Sequence, residues 1–405
     1  MPGPGLQLLG PEERAEVLEV LDSRELSRYR FGDDSLASPS KTFLFEQELS
    51  EFTGARYCLG TNSCTSALLA GIWAAGIGAG DEVIVPGYTF VASIAAIAYA
   101  GATPVLAEID DSLTIDPNDV RRKITPRTKA ILAVHMLGAP CNMEALRLIT
   151  KEYGTMLIED CAQAGGGQFQ GRALGTFGSF GAFSLNVFKT FTAGDGGVLL
   201  TNDRHLYERA FAVHDHGARP HRAGVADADS ILGLNFRMHE LTGAVARAQL
   251  KKLPSILSRL RDNKTRLRDA IGSLPYCQER RIHDAAGECA TVLAYSFTSA
   301  QQAKMLADSL GTITLSQSGK HNYANIPQLA HRALPVGSFR GSFKAGVLPQ
   351  TDALLARTVA LSVGVVDSYL GTGFGVDIHS NDTEIQRVAR LFRLSVLRTA
   401  QAKSA

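Results

Sequence analysis

Residues 130–160 read AILAVHMLGAPCNMEALRLITKEYGTMLIED. The stretch opens on an apolar, β-branched run at Ala130–Met136, turns through Gly138 and Pro140, and takes up helical spacing from Met143 to Tyr153. It then returns to an apolar run at Met156–Ile158. Strand, helix and strand in succession make a βαβ unit, whose two strands run parallel. The alternation continues towards the N-terminus, with strands at Val83–Val85 and Pro104–Ile109 and helices at Val91–Tyr99 and near Pro117–Ile124. On the other side, Gly178–Leu200 is rich in Gly, Phe and Ser, with strand-like pieces at Ala182–Leu185 and Gly197–Thr201. A helix follows from about His239 to Leu250, and beyond Pro254 a second, long amphipathic helix runs from Ser255 to Leu274. The pattern predicts an α/β fold built on a mainly parallel sheet covered on both faces, with a smaller α/β domain after it.

The 405 residues suggest two or three domains at roughly 150 residues each. We divide them into an N-terminal segment (1–40) packing near the small domain, a large domain (41–260) and a small C-terminal domain (261–405). Forty-one Lys and Arg against 40 Asp and Glu leave a formal charge of +1, with no basic footprint for nucleic acid or an anionic membrane. The six cysteines form no C-x-x-C pair and have no histidines at zinc spacing, so they read as buried thiols of a reducing compartment, with no metal. The opening MPGPGLQLLGPEE lacks the basic and apolar regions of a signal peptide, and a cytoplasmic location is expected. Val83–Ala107 carries no charge, but Pro86, Gly87, Gly101 and Pro104 divide it into strand, helix and strand, so no membrane span is expected.

Ligands of open parallel sheets bind at the carboxyl ends of the strands, and three features fall there. In TNSCTSALLAGIWAAG, from Thr61, hydroxylic residues precede an apolar helix whose free amides favour an anion. The alternative is a plain N-cap by Ser63 or Thr65. In MLIEDCAQAGG, Glu159 and Asp160 end a buried strand, and alternation directs only one of them at the site. In FSLNVFKTFTAGDGG, Lys189 is the only Lys or Arg between Arg172 and Arg204 and sits among Phe183, Phe188 and Phe191. Partial burial lowers an amine's pKa and makes it a candidate for imine formation, whereas an isolated lysine is more commonly structural. Anion cradle, acid and sheltered lysine are together the three contacts that pyridoxal phosphate requires.

The phrases GDEVIVPGYTFVAS, AILAVHMLGAP, LIEDCAQAGGG, GTFGSFGAFSLNVFKTFTAGDGGVLLTND and LNFRMHELTGAVARAQL occur in an order and spacing that resemble the DegT/DnrJ/EryC1/StrS sugar aminotransferases of the fold-type I pyridoxal-phosphate superfamily. The resemblance runs from about Phe43 to Leu250 and more weakly to the C-terminus. Within the family, DDSLTIDP, ITPRTKAILAVHMLG, HDHG and KHNYANIPQL look most like the octulosonate aminotransferases. The resemblance implies an aspartate-aminotransferase-like large domain with a mainly parallel seven-stranded sheet and a homodimer with active sites at the interface. It also implies transfer of an amino group from L-glutamate or glutamine to the carbonyl of a keto or aldehydo sugar.

Carried over by position, Lys189 forms the imine and moves the proton, and Asp160 keeps the pyridine nitrogen protonated. Phe90 stacks on the ring, Gln163 lies near the phenolic oxygen, and Ser63, Cys64, Thr65 and Ser184 take the phosphate. Asn235 is contributed across the dimer, and its neighbour Arg237 pairs with Glu240. Cys64 stands where relatives carry Gly, which expects it in a glycine-like conformation; Asn186 and the GDGG sequence are further departures. Relatives with His in place of the lysine are dehydratases, against which Lys189 argues. Five more residues are candidate substrate contacts: His135, His214, His216, His321 and Tyr323, with a core role open for His135 and a surface loop for the last two. Arg219, His221 and Arg222 form a basic cluster that could meet a carboxylate or phosphate. The rival readings are another pyridoxal-phosphate reaction on the same scaffold and, remotely, a cofactor-binding regulator.

Overall fold

A computed structural model describes residues 2–29, 40–220, 231–331 and 343–401. Seven strands form the central sheet: β1 (Tyr57–Thr61), β2 (Glu82–Pro86), β3 (Thr103–Ala107), β4 (Thr128–Val134), β5 (Met156–Asp160), β6 (Phe180–Ser184) and β7 (Gly197–Thr201). Their order is β1-β7-β6-β5-β4-β2-β3, and only β7 runs antiparallel to its neighbours. Helices cover both faces, so successive strand residues enter different cores. Val83, Val85 and Leu132 pack on one side with Leu68 and Ile97, while Ile84, Ile131 and Ala133 pack on the other with Phe183 and Leu253. This double burial is why the strands read as continuous apolar runs.

Pro254 does not end a helix. Glu240–Ile271 is one helix with the proline inside it. Proline has no N–H and so gives up one backbone hydrogen bond, at a cost of about 3 kcal/mol. Against that, Leu253, Ile256, Leu257 and Leu260 are all buried around it, each contributing about 1.5–3 kcal/mol. The helix passes through residue 260 uninterrupted and feeds two cores. Leu250, Leu253 and Leu257 belong to that of the large sheet, and Leu267 and Ile271 to that of the C-terminal sheet. The latter sheet is antiparallel, β8 (Cys277–Glu279), β9 (Val292–Phe297) and β10 (Thr358–Ser362), and is backed by the helix Asp382–Gln401. The N-terminal segment touches both parts. The amides of Gly3 and Gly5 donate to the carbonyls of Val187 and Lys189, and Pro4 meets Gly364. No described helix is long and apolar enough to cross a membrane.

At Gly197 the last strand of the sheet passes directly against the start of the helix Cys64–Ala74. A Cβ there would lie 2.3 Å from the Cys64 amide nitrogen, so β7 can pass the helix start only as glycine. Gly197→Ala is expected to displace that turn at a cost of about 1–3 kcal/mol, checked by chemical denaturation and by the affinity for added pyridoxal phosphate.

Candidate active site

The carboxyl ends of β1, β5 and β6 and the turn after β2 open on one cavity of about 820 Å³, lined by Ser63, Cys64, Thr65, Phe90, Asp160, Gln163, Ser184, Lys189 and His321. Lys189 follows β6 in a turn closed by its own amide on the Asn186 carbonyl at 3.0 Å. Burial lowers its amine below the ordinary lysine range, opposed by the negative charges of Asp160 and Asp367 across the cavity. Asn186, one of the departures, also donates its side-chain amide to Asp195 of the GDGG turn at 3.0 Å.

Asp160 ends β5 with both carboxylate oxygens engaged. Oδ1 accepts the Ala162 amide at 3.0 Å, and Oδ2 accepts the Ser93 hydroxyl at 2.6 Å. Ser93 is in turn 2.7 Å from Thr89 Oγ1, and since the Ser93 proton goes to Asp160, Thr89 is the donor. This relay was missed in the sequence, although Thr89 and Ser93 stand one helical turn apart in YTFVAS. Ser93→Ala is expected to remove a bond to a charged group worth about 1.5–3 kcal/mol, lowering kcat/KM by about 10–100-fold with the fold intact by circular dichroism. Glu159 points to the opposite face, where it accepts the amides of Gly175, Phe177 and Gly178. The strand alternation is therefore as expected.

The helix Cys64–Ala74 starts at the cavity wall. Ser63 caps it by accepting the Ser66 amide at 3.1 Å. Among the described residues the amides of Cys64 and Thr65 have no protein acceptor, the condition for binding an anion. Cys64 is the first helical residue and is absent from the left-handed backbone positions, so the glycine-like conformation expected of it is not needed. Gln163 accepts the Leu137 amide at 2.8 Å and so fastens a residue held at φ 57°. Arg280, also missed, donates from beneath to the Met136 carbonyl at 3.2 Å, and Thr291 donates to that of Leu137. Phe90 is 40% exposed, facing the cavity, with its ring 5.2 Å from that of His321. Burial and the Lys189 charge push the His321 pKa down to about 3, so its ring is neutral.

Other expected contacts lie elsewhere. His135 is fully buried in the core, where Nδ1 accepts the Cys141 amide and Nε2 meets Glu159 at 3.3 Å. His135, Glu159 and Cys161 come close together, but these bonds already occupy both histidine nitrogens and the carboxylate. His214 is buried between Tyr29 Oη and the Phe211 carbonyl, and burial lowers its pKa to about 3. His216 is exposed and lies beside Arg237, outside the cavity lining. Tyr323 is wholly buried, its hydroxyl donating to Asp352 and accepting the Leu348 amide. Arg237 pairs with Asp215 instead of Glu240, whose carboxylate instead accepts the Ser40 hydroxyl and the Lys41 amide. Asn235 is exposed and is not part of the cavity lining of its own chain. Arg219 is exposed, while His221 and Arg222 lie outside the described residues.

A sheet of this order, with a sheltered lysine, a held carboxylate and a helix start converging at its carboxyl edge, places the protein in the class of fold-type I aminotransferases. Residues 9–365 match the model of the DegT/DnrJ/EryC1/StrS aminotransferase family, and the chain belongs to that family. It is 34% identical over 325 residues to the L-glutamine:2-deoxy-scyllo-inosose aminotransferase of Micromonospora echinospora, covering 74% of each chain. It is 38% identical over 231 residues to the GDP-perosamine synthase of Escherichia coli O157:H7, covering 57% of this chain and spanning 63% of that relative's length. The solved 3-amino-5-hydroxybenzoic acid synthase superposes with a TM-score of 0.80 at 27% identity, over 98% of this chain and 99% of that one.

Proposed function

We propose that the protein is a pyridoxal-phosphate-dependent aminotransferase that takes an amino group from L-glutamate or glutamine and delivers it to the carbonyl of a keto or aldehydo sugar or cyclitol. The observation that carries this reading is the convergence of Lys189, Asp160 and the free amides of Cys64 and Thr65 on one cavity. These residues fit the cofactor chemically. The amides, with Ser184, would hold its phosphate, Asp160 would keep a proton on its ring nitrogen, and Phe90 would cover the ring. When bound, the cofactor supplies a carbonyl that carries the amino group and a ring that accepts electrons. Lys189 supplies the amine that anchors it and then moves the proton as general acid and base. Asp160 can hold its charge at the ring because Ser93 and the Ala162 amide fix both of its oxygens.

The same reading assigns a large domain to residues 41–260 and a small one to 261–405. It makes the protein a cytoplasmic homodimer, in which the exposed Asn235 serves the phosphate of the partner site. The test is the absorbance of the purified protein with pyridoxal phosphate, before and after L-glutamate is added without acceptor. A yellow band that bleaches, with one 2-oxoglutarate released per site, is expected. A band unmoved by glutamate or glutamine would overturn the transamination reading, and a protein that stays colourless would overturn the cofactor.

A further inference from the structure

The far wall of the cavity carries a charge that amino transfer does not use. Asp367, Tyr369 and Leu370 line it, and all three follow the end of the family match at residue 365. The segment is a closed turn that fixes the acid in place. The Asp367 amide donates to Thr372 Oγ1 at 3.1 Å, the Thr372 amide donates to the Asp367 carbonyl at 2.9 Å, and the Tyr369 amide donates to Asp367 Oδ1 at 2.9 Å. Oδ2 has no donor among the described residues. Asp367 and Lys189 line the same cavity, and the Asp367 charge is among those that oppose the burial-driven lowering of the Lys189 amine. Among the described lining residues other than Lys189, no buried cation opposes it: the His321 ring is neutral, Gln328 is an amide, and Lys320 is exposed to solvent.

We propose that Asp367 is a specificity-determining residue for the acceptor, selecting a neutral polyhydroxylated ring whose hydroxyl donates to Oδ2, and disfavouring substrates that bring a carboxylate to that wall. The inference rests on the aminotransferase reading and narrows its acceptor to a sugar or cyclitol with no acid group beside the reacting carbonyl. A hydroxyl donating to a carboxylate is a charge-assisted bond, whereas a second carboxylate meets like-charge repulsion. L-Glutamate, one of the two donors proposed, is itself a dicarboxylate, so the same residue should weaken its binding. One substitution must then move the two partners in opposite directions, which loss of structure cannot do.

The experiment follows bleaching of the yellow band by two amino compounds, L-glutamate and scyllo-inosamine, the latter running the acceptor half-reaction in reverse. Asp367→Asn is expected to lower the half-saturating concentration of glutamate and raise that of scyllo-inosamine, each by about fivefold, the scale of one partly exposed charge. Asp367→Glu should keep the wild-type order. Calorimetry with glutarate and scyllo-inositol, which cannot react, reads the same selection as binding alone: Asp367→Asn should tighten glutarate and weaken scyllo-inositol. Shifts in the same direction, or none, would overturn the role of Asp367. A wild-type protein bleached by glutamate but not by scyllo-inosamine would overturn the neutral-ring acceptor while leaving the aminotransferase intact. A yellow protein bleached by neither of these nor by L-glutamine would overturn the aminotransferase reading itself.

Discussion

Lys189→Ala is expected to lower kcat by about four orders of magnitude or more, since one amine both anchors the cofactor and carries the proton. The substitution should spare the fold. Lys189 sits in a loop after β6, its amide bond to Asn186 does not involve the side chain, and the neighbouring Phe191 is buried independently of it. Small primary amines added in solution should restore part of the rate, because the vacated space faces the cavity. The pH dependence has a definite sign. Burial holds the Lys189 amine below the ordinary lysine value, so its neutral, reactive form appears as pH rises through a pKa lower than about 10.4. Formation of the yellow band when pyridoxal phosphate is added to the cofactor-free wild type should therefore reach its fast rate below that pH, read by stopped-flow absorbance. A Lys189→Ala protein turning over near the wild-type rate would remove the lysine from the chemistry.

The chemical core of the site was legible because it is local. Asp160, Lys189 and the Ser63–Thr65 turn each lie at the end of a strand or the start of a helix that the apolar pattern already marks, and parallel topology brings such ends together. What could not be read was partnership over distance. His135 resembles a pocket residue until Glu159 and the Cys141 amide are seen to occupy it. His214 finds Tyr29, 185 residues away, and Tyr323 is satisfied by Asp352. A polar side chain at a strand or helix end looks the same in sequence whether it faces a substrate or a buried partner. Asp367 was invisible for the converse reason: it stands in a turn with no motif, and only the folded chain brings it into the cavity that Lys189 lines. Pro254 shows the same limit in the fold, since its local preference for a break is outweighed by leucines of two cores.

Asp160→Asn should be the second most damaging change, costing about 10²–10³ in kcat, the range found when a fixed electrostatic partner is removed from a developing charge. The size follows from how the carboxylate is held. Both oxygens are engaged, by Ser93 and by the Ala162 amide, so the acid is already oriented before any ligand arrives. An asparagine fills the same space and can keep the Ala162 bond through its carbonyl oxygen. Its amide then faces Ser93, whose hydroxyl can turn to accept it while Thr89 donates to the Phe90 carbonyl, a contact at 3.4 Å in the wild type. The fold and the cofactor stoichiometry should therefore survive, and only the charge is lost. Loss of that charge removes what favours a proton on the ring nitrogen, so the rate of bleaching by glutamate should fall while its half-saturating concentration changes little. Asp160→Ala should do the same and in addition lower stability, since it strands the Ala162 amide. A rate loss confined to binding, with the bleaching step unchanged, would place Asp160 in the scaffold and not at the ring.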